Sequence, residues 1–278
     1  MSSPRFPPEL ECAIFSDAAA LQNPFRNPTN LFLVAKRVKE WLVPLTFEVI
    51  IVHKLRSFPI RFTNLSQFEA YGSHTHHLLL SKMWPLGTSL NPTEYLAQCP
   101  NVTNLALWWP APPIRIESIL GLSKLTHLSV DTSDYLVKAA RLTQVPMFPN
   151  VTHLDILGEH ATGNMEDDFA VLALHFPALT HIAFLWETEL FEPVLRNFEG
   201  IKTLISCTPG VLGIDETQRA PVEDDRIVMI SSSRLNDWEN SARGRGPGMW
   251  EFVEEVLKKR AQEKAKKSST RRIGDTST

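Results

Sequence analysis

The stretch Phe148-Pro-Asn-Val-Thr-His-Leu-Asp-Ile156 decides the fold, because the chain repeats it. Close copies stand at Cys99-Pro-Asn-Val-Thr-Asn-Leu-Ala-Leu107, Ser123-Lys-Leu-Thr-His-Leu-Ser-Val130 and Phe176-Pro-Ala-Leu-Thr-His-Ile-Ala-Phe184, and weaker ones begin at Thr75, Ile201 and Arg226. From Thr75 through Val102, Leu125, Val151, Leu179, Ile201 and Arg226 the intervals are 27, 23, 26, 28, 22 and 25 residues. A steady period in the twenties marks units that stack on their neighbours. Such a stack points to an extended recognition surface before it points to a catalytic pocket.

Val102, Leu105 and Leu107 follow the spacing L-x-x-L-x-L, as do Leu125, Leu128 and Val130, and Val151, Leu154 and Ile156. That spacing and the period both match a leucine-rich repeat, whose units run to about 20–29 residues. The last two apolar positions are two apart and share one face of a strand, so each copy predicts one short parallel strand. Between the strands the apolar spacing changes to three and four. Helices are expected over 92–98, 134–141, 165–175 and 189–197, each ending near the Pro or Gly that precedes the next strand. The fold class that follows is α/β: an N-terminal helical module (1–55), an irregular leucine-rich-repeat-like solenoid whose parallel strands line a concave side (56–235), and a C-terminal capping helix (236–264).

The composition narrows the function classes. With 278 residues, 43% of them hydrophobic, there is ample material for a core, and a formal net charge of −3 gives no global field toward nucleic acid or an anionic membrane. Met1-Ser-Ser-Pro-Arg is followed by Glu9 and Glu11 rather than an apolar run, so no secretory leader is expected. The expected location is cytoplasmic, nuclear or both. Cys12, Cys99 and Cys207 are too scattered for a disulfide framework or a paired metal-ligand spacing, and read as reduced thiols. Asn64, Asn101 and Asn150 match the glycosylation acceptor pattern, but without a leader they read as chance matches.

Ahead of the repeats, Pro7-Pro-Glu-Leu-Glu-Cys-Ala-Ile14 opens a helix with Leu10, Ile14 and Phe15 on one stripe. A loop rich in Asn and Pro leads to a second helical segment, Leu31 to Trp41, and then past Pro44 to a strand over 47–52. Phe6-Pro-Pro-Glu-Leu10 with Ile14, followed by Leu31-x-x-Val34-x-Lys36-Arg37-x-x-x-Trp41, resembles an F-box over roughly 6–52. The Phe-Pro-x-[Val/Leu]-Thr-His-Leu phrase resembles the solenoid of fungal F-box-like proteins over roughly 72–233. The resemblance implies a non-enzymatic substrate receptor of a cullin-RING ubiquitin ligase. Pro8, Leu10, Ile14, Val34 and Arg37 would then dock on the adaptor subunit, and the concave face, with Trp108, His127, Asp131, His153, Asp155 and His181, would hold an unidentified target protein. The protein is expected to be a monomer outside that complex, with no cofactor, no metal and no membrane, and the charge balance gives no reason to expect nucleic acid as a partner. The alternative from another class is a repeat scaffold with no link to ubiquitin, whose N-terminal helices serve only as a cap.

In phase, His77, Asn104, His127, His153, His181 and Thr203 stand just before the second apolar residue of their copies. Neighbouring strands about 4.8 Å apart would line them up as a ladder. Three imidazoles in a row suit a structural hydrogen-bonded ladder, a partner contact or a metal; a straight row converges poorly on a tetrahedral ion, and no metal is expected. Trp109 and Trp186 share the position past the strand, as partner anchors or as packing lids. Gly244-Arg-Gly-Pro-Gly248 lacks the Lys-Ser/Thr of a phosphate loop, and the chain has neither a G-x-S-x-G elbow nor an H-E-x-x-H pair, so no enzyme is expected. The stretch 236–244 reads as a loop. Met249, Phe252, Val253, Val256 and Leu257 form the stripe of a helix expected to cover the open end of the stack. Beyond Lys258 the chain becomes rich in Lys, Arg, Ser and Thr; order should fade by Ala265, leaving a basic tail over 265–278.

Overall fold

A computed structural model describes residues 6–21, 28–53, 56–58, 69–81, 92–108, 115–131, 133–158, 165–215, 220 and 222–274. Within them the chain is α/β, with strands and helices alternating. It divides into two compact units: Met1–Ala161 with Val171–Ala178, and Thr162–Ala170 with Leu179–Thr278.

The first unit opens with α1 (Pro8–Leu21), a 3-10 turn (Pro28–Leu33) and α2 (Lys36–Phe47). The elements β1 (Val49–His53), β2 (Arg56–Phe58), β3 (His77–Ser81), α3 (Pro92–Gln98), β4 (Asn104–Trp108), α4 (Ile116–Leu120), β5 (His127–Val130), α5 (Ser133–Ala140) and β6 (His153–Ile156) follow. Its strand order is β2-β1-β3-β4-β5-β6, and every pairing is parallel except that of β2 with β1. Leu78, Leu105, Leu128 and Leu154 are cross-strand partners, and all four are buried. Matched leucines therefore make one continuous interior wall, as the repeat phrase predicts. The strand assigned to the N-terminal module, β1, belongs to the same sheet, paired in parallel with β3.

The division between the units falls inside α6 (Met165–His175). In the second unit come β7 (His181–Leu185), α7 (Phe191–Asn197), β8 (Thr203–Pro209), β9 (Gly213–Ile214), β10 (Ile227–Ser232), α8 (Arg234–Ala242) and α9 (Met249–Gly274). The order is β7-β8-β10-β9, parallel up to the antiparallel edge strand β9. On the face of Ile182 and Leu204 the interior is aromatic. Phe169 meets Phe184 and Phe198 edge-on, with ring centroids 5.9 and 6.4 Å apart.

The repeat phrase has a local mechanical reason. Its Pro follows Cys99 or Phe148 at the second position of a turn closed by Val102 N–H on Cys99 C=O and by Val151 N–H on Phe148 C=O, where a fixed φ is favourable. The Asn then reaches back one repeat: Asn101 Nδ2 donates to Ser73 C=O at 2.6 Å and Asn150 Nδ2 to Ser123 C=O at 2.9 Å. The Thr hydroxyl does the same one step further on, Thr103 to His76 C=O, Thr126 to Thr103 C=O and Thr152 to Thr126 C=O, at 3.2, 3.1 and 3.3 Å. The phrases at Val102 and Val151 are thus each a turn, two side-chain ties to the previous unit and a strand. Both Asn side chains that match the glycosylation pattern here carry a structural hydrogen bond.

Four elements differ from expectation. The helix expected from Leu31 to Trp41 is a 3-10 turn ending at Leu33 and a helix starting at Lys36, separated by extended backbone at Ala35. Helix α2 runs through Pro44 to Phe47, because Leu42, Val43, Thr46 and Phe47 stay buried on one face while Pro44 sits on the exposed one. The burial continues across the backbone bond that the proline removes. Residues 234–242 form helix α8 where a loop was expected, and α9 continues past Ala265 to Gly274.

Burial raises the Cys99 and Cys207 thiols to about 12, far from the thiolate form at neutral pH. Cys12, on α1, is half-buried. A disulfide-exchange reagent at pH 8 should therefore modify one thiol per chain quickly, at Cys12, and the other two only on unfolding. Fast labelling of Cys99 or Cys207 in the native protein would contradict this packing.

Candidate functional site

The face that carries the histidines is where the first unit concentrates its polar chemistry. Residues two apart on a strand share a face, so β5 presents His127 and Ser129 together and β6 presents His153 and Asp155. Parallel pairing then sets His127 beside His153 and Ser129 beside Asp155. The two imidazoles stack with ring centroids 4.1 Å apart and planes 13° off parallel.

The threonine before each histidine sets its tautomer. Thr126 and Thr152 hydroxyls lie 2.9 and 2.8 Å from the Nδ1 of the histidine that follows. Each hydroxyl already donates its proton to a carbonyl of the preceding repeat. It can only accept from the ring, so Nδ1 carries the hydrogen and, in the neutral imidazole, Nε2 carries the lone pair. Thr180 Oγ1 likewise lies 2.7 Å from Nδ1 of His181. The Thr-His wording of the repeat therefore makes rings of fixed orientation.

Below the stack is a buried polar chain. Trp108 Nε1 donates to Ser129 Oγ at 2.7 Å, and that hydroxyl donates to Asp155 Oδ2 at 2.8 Å. All three residues are buried. This corrects the expectation that Trp108 and Asp155 meet a partner directly: they share the face of the histidines but are buried on it, at 8% and 5% exposure. Ser129 is the residue that sequence reasoning missed. Its signal was the phase of the repeat, which sets it in register with Asp155. His127, Asp131 and His153 keep partial exposure.

In the second unit the same face is occupied. Met249 and Val253 of α9 are buried against Ala183, Ile205, Cys207, Val228 and Ile230, and Trp250, Phe252, Val256 and Leu257 pack around them. By register Ala183 and Ile205 lie on the face of His181 and Thr203, so α9 lies on the strand face rather than over the end of the stack. This corrects the expected position of the helix. His181 is buried too: Trp250 meets its ring edge-on at 6.0 Å and Glu254 Oε1 lies 3.6 Å from its Nε2. Within this unit His181 is engaged by the chain's own helix, not offered to a partner. Trp186 behaves in the opposite way, 56% exposed and held at φ 63° just after β7. A bulky residue in that backbone region is uncommon and costs energy. Trp109 lies outside the described residues.

The N-terminal helices have an inner and an outer side. Val38, Leu42, Val43 and Phe47 of α2 are buried, whereas Leu10, Ile14 and Val34 are 53%, 52% and 59% exposed. Leu10 and Ile14 are four apart on α1 and share one face. Pro8 is exposed as well, and Arg37 forms an ion pair with Glu11 at 2.6 Å. Arg37 therefore ties α2 to α1 within the module.

Among the described residues no helix is long and apolar enough to cross a membrane. No family model matches the chain, and no match is found among the curated proteins.

Proposed function

We propose that this protein is a non-enzymatic substrate receptor of a cullin-RING ubiquitin ligase, with an F-box-like module that docks on the adaptor and a leucine-rich-repeat-like solenoid that holds the target. The observation that carries the reading is the outward apolar side of the module. A helical cap buries its apolar residues against the first strand. A docking module keeps some uncovered for its partner. Leu10, Ile14 and Val34 are each more than half exposed, beside the exposed Pro8.

On this reading the target contacts fall on His127, Asp131 and His153 of the first unit, with Trp108, Ser129 and Asp155 as their support. Such a receptor does no chemistry. It raises the concentration of its target beside a ligase that does, which is an effect of linkage rather than of bond making. The inner side of α2 favours a second reading, in which the helices are a cap on a scaffold: Val38, Leu42 and Phe47 are buried as a cap requires.

The experiment is calorimetric titration of the full chain with purified adaptor. The wild type should bind, and Leu10→Asp should weaken binding at least thirtyfold, by about 2 kcal/mol or more, as for an interface anchor. An exposed position shifts stability by only about 0.5 kcal/mol, so the melting temperature should hold. A wild type that gives no heat with the adaptor rejects the ligase reading and leaves the scaffold.

A further inference from the structure

The continuation of α9 to Gly274 changes the meaning of the basic residues at its end. Eight of the 28 basic residues and one of the 31 acidic ones fall in 258–274, so this helical segment carries a formal +7 while the rest of the chain carries −10. Every described side chain from Lys258 to Lys267 is exposed.

One stripe of the helix runs Met249, Val253, Val256, Arg260, Lys264, Lys267, Arg271, at steps of four and three. Its apolar part packs on the sheet of the second unit. Then the stripe turns basic: Arg260 Nη1 donates to Ile227 C=O at 2.8 Å and Lys264 pairs with Asp225. These two contacts anchor the helix at the end of β10. Lys267 and Arg271 occupy later positions of the same stripe, and Lys258 and Lys266 add charge at other angles around the axis, while Lys259 pairs with Glu255 at 2.8 Å.

We propose that this basic extension binds the phosphate backbone of duplex DNA. The class of partner follows from what the segment contains and what it omits. Between Lys258 and Arg272 there is no aromatic residue and no apolar one larger than alanine. A helix that lies on a membrane needs a broad apolar face, and a protein interface draws its energy from aromatic or aliphatic anchors; neither is present. Like charges three and four apart repel along the helix, and a polyanion relieves that repulsion. Charge on more than one side of a rod suits a groove with phosphates on both flanks. The major groove of B-DNA admits a helix, while that of duplex RNA is too deep and narrow. The inference is independent of the ligase reading.

The test is fluorescence anisotropy of a labelled random-sequence DNA duplex of about 20 base pairs with the full-length chain, from about 20 to 200 mM salt. Binding is expected, with log K falling against log salt by about 0.9 for each phosphate neutralised. The variant with Lys267→Glu, Arg271→Glu and Arg272→Glu should bind at least tenfold more weakly, with a slope flatter by about 3, and keep its circular dichroism. Lys267→Arg should bind like the wild type. Leu10→Asp should also leave DNA binding unchanged, which separates this surface from the adaptor site. No binding at the lowest salt overturns the proposal, as does a charge-reversed variant that binds normally. Equal or tighter binding to polyglutamate, to phosphatidylserine vesicles or to duplex RNA also overturns it.

Discussion

Val253→Asp should detach α9 from the strand face of the second unit and lower stability by about 4 kcal/mol or more. Val253 is fully buried among Ala183, Ile205, Val228 and Ile230. Removing the valine forfeits about 1.5–3 kcal/mol of burial, and an unpaired carboxylate in the same place adds several more. Against a typical total of about 5–15 kcal/mol that is a large fraction. Urea unfolding followed by tryptophan fluorescence would report it through Trp250, which packs beside Val253. Hydrogen exchange should quicken at Ala183 and Ile205 in particular. Val253→Ala, which removes bulk without adding charge, should cost about half as much or less. An unfolding midpoint for Val253→Asp equal to the wild type would show that the helix does not rest on this face. His181 serves as a second reporter. Its ring loses both Trp250 and Glu254 if α9 leaves, so its NMR signals should shift in the variant.

The second large effect is expected at Ser129. Its hydroxyl accepts from Trp108 and donates to Asp155, so Ser129→Ala takes a partner from a buried indole and a buried carboxylate at once. A lost hydrogen bond costs about 0.5–1.5 kcal/mol, or about 1.5–3 kcal/mol where one partner is charged, so the sum here should be about 2–4 kcal/mol. A double-mutant cycle of Ser129→Ala with Trp108→Phe should show a coupling of about 1 kcal/mol, because both changes remove the same hydrogen bond. Strict additivity would mean that the chain of hydrogen bonds contributes nothing as a unit. The stack above it should respond as well. Ser129 shares a strand face with His127, so weaker support should loosen the His127–His153 pair and, on the proposed function, weaken target binding without touching adaptor binding.

Much of this architecture was legible from residues close together in the chain. Val102, Leu125 and Val151 carry the same phrase because each unit uses the same turn, the same backward tie from Thr and the same alternation along its strand, with Asn adding a second tie in the Val102 and Val151 copies. These are interactions within a unit or with the one before it, so a periodic sequence shows where they recur, while the hydrogen bonds themselves come from the structure. Helices over 92–98 and 165–175 could be placed to the residue for a similar reason: an acidic first turn, an apolar spacing of three and four, and a Pro soon after the end. The inner and outer sides of a strand were also readable, since parity alone puts His127 and Ser129 on one side and Leu128 on the other.

What a stripe or a parity rests against was not readable. Met249, Val253, Val256 and Leu257 announce that α9 buries one side, but the same stripe would serve over the end of the stack or over the strand face. Small apolar side chains at Ala183, Ile205 and Val228 make that face the better fit, and they come from strands far away in the chain. Trp108 and Trp186 illustrate the same limit. Both follow a strand core, yet one is buried and donates a hydrogen bond to a neighbouring strand, and the other stands in solvent at positive φ. By itself the sequence determined the repeat, its register and the row of histidines on one strand face, because period and alternation dictate them. Only the tertiary structure decided which surfaces remain open, because burial depends on contacts between residues distant in the chain, and no local pattern encodes those.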